Sequence, residues 1–137
     1  MNSVRIIVHD RNAERLQAVA IQLLEMGNVE VATSAHWLDS IRKIVAWNAM
    51  AILYGHESLP DGARLWLRLL AGIESPPAVG FYGRSTDVID LESNCQRFKL
   101  RYLGCFAFPI DGLRLRNTVT ILRQSVFCGS LEQGGVR

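Results

Sequence analysis

Long apolar runs are missing from this chain of 137 residues: the stretches at 50–54 and 78–82 end after a handful of positions. A helix spanning a bilayer needs roughly 20 apolar residues in succession, so no membrane segment is expected. Cysteine is scarce, and Cys95, Cys105 and Cys128 make an odd set with no CxxC spacing, which fits a reducing cytosol better than a disulfide scaffold. Neither sign of charge is in excess. Lys and Arg total 15 against 13 Asp and Glu, and that balance of +2 is too small and too scattered to argue for a nucleic-acid surface. Asn2, Ser3 and Arg5 leave no room for the apolar core of a secretory signal, so a cytoplasmic protein is expected. Repeats and low-complexity segments are lacking too, which leaves one globular domain of ordinary composition.

What is present is an alternation of short apolar runs with amphipathic stretches. Val4-Arg5-Ile6-Ile7-Val8 reads as a strand buried on both faces, followed from the cap residue Asn12 by helical spacing at Leu16, Val19, Ala20 and Leu23. Gly27-Asn28 stops that helix. Residues 29–32 predict a second strand, Ser34 the cap of a helix bearing Trp37, Ile41, Ile44 and Val45, and 49–54 a third strand. A loop with Pro60 leads to a helix carrying Trp66, Leu69, Leu70 and Ile73. Strands at 78–82 and 102–106 then bracket a helix opened by Ser85 or Thr86 and carrying Val88, Leu91, Cys95 and Phe98. The last helix starts near Asp111 with Leu115, Val119, Leu122 and Val126 on one stripe, and 128–137 reads as a flexible tail or linker start. Strands and helices in such alternation imply right-handed crossovers and a three-layer, doubly wound five-stranded parallel sheet. The flavodoxin-like order 2-1-3-4-5 is expected for residues 1–127.

The working crevice of such a sheet lies beyond the carboxyl ends of strands 1 and 3. His9-Asp10 follows the first strand, His56-Glu57-Ser58-Leu59-Pro60-Asp61-Gly62 the third, Tyr82-Gly83 the fourth and Phe108-Pro109 the fifth. Over about residues 3–127 this punctuation resembles the receiver domain of bacterial response regulators. Receivers carry an acidic pair, an Asp-x-x-(Met/Leu)-Pro-x-x-Gly-like stretch, a hydroxyl residue before a small one, and Lys-Pro at these places. The resemblance implies a receiver-like fold whose phosphorylation pocket has degenerated at His9, His56, Tyr82 and Phe108 and retains Asp10. Mg²⁺ wants oxygen ligands and Asp10 alone is a poor site for it. Phe108 has no charge to offer a phosphoryl group, so aspartyl phosphorylation by the usual route is not expected. Glu57 is expected to aim away from the pocket, because neighbours on a strand alternate.

A narrower resemblance, carried by Leu53-Tyr54-Gly55 and by Gly83, is to the N-terminal domain of the flagellar master regulators among sigma-54-dependent enhancer-binding activators. It implies a non-enzymatic, phosphorylation-independent regulatory and dimerisation domain of a transcription activator. An attached AAA+ ATPase and a helix-turn-helix domain would be its partners, with no cofactor, no metal and no nucleic acid bound by this domain itself. Two rivals stand beside it. One is a stand-alone pseudo-receiver adaptor. The other is a metal-binding enzyme on His9, Asp10 and His56, expected to converge at the sheet edge, since two imidazoles and a carboxylate can hold Zn²⁺ or Ni²⁺.

Tyr82 and Phe108 are expected to plug the crevice. Two helices carry more apolar surface than one buried face needs, which marks a homodimer interface through Leu65, Trp66 and Arg68 or through Leu113 and Ile121. Trp66 is the expected anchor. Cys95 and Cys105 read as core.

Overall fold

Apolar and β-branched residues with no solvent-facing alternation form strands that must be covered on both sides. The computed structural model describes residues 3–58, 63–84 and 89–136. Its strands are β1 (Val4–His9), β2 (Val29–Ser34), β3 (Ala51–Gly55), β4 (Ala78–Gly83) and β5 (Tyr102–Ala107), all parallel, in the order β2-β1-β3-β4-β5. The helices are α1 (Ala13–Leu24), α2 (Trp37–Trp47), α3 (Ala63–Ala71), α4 (Ile89–Arg97) and α5 (Gly112–Val136). This is the flavodoxin-like arrangement that the alternation predicts.

Strand alternation sorts the core into two layers. Ile6, Val8, Leu53, Tyr82 and Phe106 face Val19 and Leu23 of α1 and Leu115, Val119 and Leu122 of α5. Ile7, Ile52, Tyr54, Val79 and Phe81 face Ile44 of α2, Trp66, Leu67 and Leu70 of α3, and Leu91 and Cys95 of α4. Each fully buried side chain of this size contributes about 1.5–3 kcal/mol, so both faces are fixed to the helices that cover them. Register follows: His9 lies beside Ser34 on one side and Tyr54 on the other, all three at the carboxyl edge.

The local signals hold in part. Asn12 caps α1 by accepting from the Arg15 N–H at 3.0 Å, and Asn48 ends α2 in the left-handed conformation. Ser34 does not cap α2. It ends β2, buried, and the cap is His36, whose ring accepts from the Leu38 N–H. The Ser34 hydroxyl has gone to His9 instead, a buried polar group that needs a partner. Helix α5 runs on to Val136, through the residues expected to form a tail from 128, because elongation adds a hydrogen bond for every residue fixed. The expected cap at Ser85 or Thr86, and Leu59 to Gly62, lie outside the described residues. Cys95 is buried as expected, and burial pushes its thiol up to about 11, which leaves it unreactive.

Candidate functional site

Asp10 is the first residue past β1, and its side chain is wholly buried on the α1 side of the sheet. Every oxygen lone-pair direction there is supplied with a donor. Oδ1 accepts from the Asn12 N–H at 2.9 Å and from Arg15 Nη2 at 3.1 Å. Oδ2 accepts from Arg15 Nε at 2.9 Å and from the Tyr82 hydroxyl at 3.0 Å. The guanidinium therefore grips the carboxylate as a two-pronged fork, the strongest geometry open to such a pair. Its hydrogen bond to Asp10 raises the Arg15 pKa still further. Tyr82 is raised as well, by burial first and then by the Asp10 charge, so it stays a donor.

Arg15 was not singled out by sequence, although a signal existed. A cation in the first turn of a helix opposes the helix dipole unless a carboxylate accompanies it. Arg15 lies three residues past the Asn12 cap and five past Asp10. Its remaining nitrogen, Nη1, reaches Glu57 Oε2 at 3.3 Å. That contact corrects the expectation for Glu57. The chain leaves β3 in one turn of 3-10 helix, His56–Ser58, which ends the strand alternation and returns Glu57 to the rim. There Glu57 also accepts from the Arg84 N–H at 3.0 Å, which lowers its pKa, with Arg15 adding to the effect.

His56 is not the residue of β3 that faces Asp10. The tip position is Gly55, where a Cβ would stand 2.5 Å from Asp10 Oδ2. The His56 ring lies against Gly83, where a Cβ would run into it. Glycine is required at both places because a neighbouring side chain fills the space. Consequently, His9, Asp10 and His56 do not converge. His9 is wholly on the opposite face from Asp10, since consecutive residues point to opposite sides. Its Nδ1 lies 2.7 Å from Ser34 Oγ, and its ring is 4.2 Å from that of Tyr54. Burial lowers His9 to about 4, so the imidazole is neutral at physiological pH. Tyr54 in turn meets Trp66 edge-on at 4.3 Å, and its buried hydroxyl has no hydrogen-bond partner among the described residues. Among those residues no three His, Cys, Asp or Glu side chains stand close enough to hold a metal ion.

Phe108 follows β5, half-buried, with its ring 6.2 Å from that of Tyr82 and its N–H donating to the Gly83 carbonyl at 2.9 Å. The two rings line the α1–α5 side of the crevice, Tyr82 inside and Phe108 outside. Of the expected interface residues, Trp66 is 1% exposed and belongs to the core. Its ring is drawn in by Tyr54 and by Ser40, whose hydroxyl accepts from Trp66 Nε1 at 3.4 Å. Leu65, Leu113 and Ile121 are exposed by 57%, 65% and 49%, and Arg68 is exposed.

No family model matches this chain, and no curated protein matches it in sequence. Solved structures do match. The signal receiver domain of a Luxo repressor protein from Vibrio parahaemolyticus superposes with a TM-score of 0.72 at 17% identity, covering 95% of this chain and 98% of that one. A receiver domain from Clostridium thermocellum gives 0.66 at 18% identity over 90% and 98%. A chain described as a pilus assembly protein, CpaE, from Burkholderia thailandensis gives 0.72 at 11% identity over 88% and 98%. This chain has the receiver-domain fold. Among its described residues, no helix is long and apolar enough to cross a membrane.

Proposed function

We propose that this receiver-like domain is a regulatory interaction module that works without phosphorylation, held in one state by its own arginine. The observation that carries the reading is the occupied carboxylate. Asp10 is gripped by Arg15, Tyr82 and the Asn12 N–H, while the β3 residue that faces it is Gly55. Transfer of a phosphoryl group to a carboxylate needs a nucleophile at that tip and oxygen ligands for a divalent cation. The tip residue here has no side chain, and Arg15 fills the cation's place with a fixed charge. A permanently seated charge leaves nothing for phosphorylation to change.

In the activator reading, the domain is the N-terminal regulatory part of a cytoplasmic, sigma-54-dependent transcription activator of flagellar genes. It pairs with a second copy and controls an attached ATPase and DNA-binding domain. Self-association through α5 is favoured over α3. Leu113, Asn117 and Ile121 form an exposed stripe at i, i+4 and i+8 with no charge on it, whereas α3 presents Arg64 and Arg68. A two-fold interface sets a patch against its own copy, so arginines would meet arginines. The match to pilus-assembly chains favours a second reading, an adaptor within an appendage-assembly machine. A reading frame that continues past Arg137 into a GxxxxGK[ST] motif supports the activator, and one that stops there supports the adaptor.

The chemistry is tested by incubation with acetyl phosphate and Mg²⁺, followed by intact-mass measurement. No gain of a phosphoryl group is expected, and beryllofluoride with Mg²⁺ should leave the amide NMR spectrum unchanged. A stoichiometric phosphoryl adduct that is labile to hydroxylamine overturns the proposal.

A further inference from the structure

A groove of about 320 Å³ opens between α3 and α4, lined by Arg64, Leu65 and Arg68 from α3 and by Arg97 and Phe98 from the end of α4. The three guanidiniums are exposed, and among the described residues none of them has an ion pair or hydrogen bond. Arg5 pairs with Glu30, Arg15 with Asp10 and Glu57, and Lys43 with Asp39, but of the cations without an ion pair these three are gathered in one groove. In the groove the arrangement works against the fold instead. Arg64 and Arg68 stand one helical turn apart, a like-charge spacing that destabilises a helix, and Arg97 brings a third positive charge to the same space. Leu65 adds a large exposed apolar side chain between the charges, and Phe98 offers part of its ring.

We propose that this groove binds an acidic segment of a partner protein, with carboxylates on the three arginines and one large apolar side chain set between Leu65 and Phe98. Guanidinium forks suit carboxylates, which they take in bidentate fashion. The apolar lining is what separates a peptide from a bare anion. A phosphate or pyrophosphate has no use for Leu65 and Phe98, and the lining supplies no hydroxyls to hold one. A second copy of this chain set symmetrically on the groove would bring like charges together. The inference does not depend on the sealed crevice, since groove and crevice share no residue.

The test uses the full chain and a fluorescein-labelled synthetic peptide, acetyl-Glu-Glu-Leu-Phe-Glu-Glu-amide, read by fluorescence anisotropy at low salt. Saturable binding is expected. It should weaken by about tenfold or more in Arg68→Ala and in Arg97→Ala, and likewise when the Leu-Phe of the peptide is replaced by Ser-Ser. Amide shifts on titration should centre on Leu65 and Phe98. All these variants alter exposed side chains, and Arg64→Gln supplies a further one should either fail to fold. Absence of binding, or equal binding by the alanine variants, overturns the proposal. Equal affinity for the Ser-Ser peptide with full competition by pyrophosphate makes the groove a simple anion site and overturns it as well. So does loss of self-association in the same variants, measured by light scattering, which would give the groove to a second copy.

Discussion

His9 and Asp10 are neighbours at the end of β1 and are both buried, yet they meet opposite surroundings. On the α1 side, Asp10 keeps its charge because Arg15, Tyr82 and a backbone N–H supply it with four donors. On the α2–α3 side, His9 is stripped of its charge by burial beside Ser34 and Tyr54, a cost that the Asp10 and Asp39 charges only partly offset. One face stabilises an ion by satisfying it, and the other accommodates a titratable group by neutralising it. The difference teaches that a buried polar residue is governed by which side of the sheet it faces, a matter of one step along the chain.

The largest break in this contrast comes from removing the fork. Arg15→Met leaves Asp10 buried with an unmatched charge and should cost about 3–5 kcal/mol in urea unfolding. Asp10→Asn combined with Arg15→Met should cost clearly less than the two single changes together, because the second removes the charge that the first orphaned. Additive losses would show that the pair is not coupled. Next comes pH. The unfolded imidazole has a pKa of 6.5 and the folded one about 4, so below 6.5 the unfolded chain takes up the proton first. The stability contributed by a neutral His9 is complete above pH 6.5 and is lost progressively as pH falls toward about 4, by about 3 kcal/mol in all. Unfolding midpoints of the wild type and of His9→Asn between pH 7 and 4 should converge as pH falls. Parallel curves would mean that His9 does not lose its charge on folding.

Much of this was legible beforehand, and the reasons for the rest are physical. Periodicity gives the five strands, their order and the Asn12 cap, since these depend on local pattern and on crossover handedness. The places of His9, Asp10, Tyr82 and Phe108 at the carboxyl edge of the sheet follow from the ends of those strands. What each does there depends on partners distant in sequence. Ser34 looks like a cap in sequence because its claim by His9 needs the β1–β2 register. Sequence points to His56 rather than Gly55 because the 3-10 turn that swings His56 away has no strong sequence mark. Trp66 suits an interface in sequence because a helix rich in apolar residues does not announce which of them the sheet will claim. Tyr54, one strand away, claims it.

The smallest expected effects come from two hydroxyls, one on each side of the sheet. Tyr82→Phe removes a donor to a buried carboxylate and should cost about 1.5–3 kcal/mol, the range for hydrogen bonds to charged groups. Tyr54→Phe removes a hydroxyl that is buried and unpartnered among the described residues, so only its desolvation penalty is lost. The ring keeps its edge-on packing against Trp66 and its place beside His9, and the change should be neutral or stabilising by about 1 kcal/mol. Thermal and urea unfolding of the two variants, taken at pH 7, should therefore move in opposite directions from the wild type or leave Tyr54→Phe unmoved. A loss of more than about 1 kcal/mol in Tyr54→Phe would mean that the hydroxyl holds a buried water, and that the α2–α3 side is no drier than the side that houses the ion.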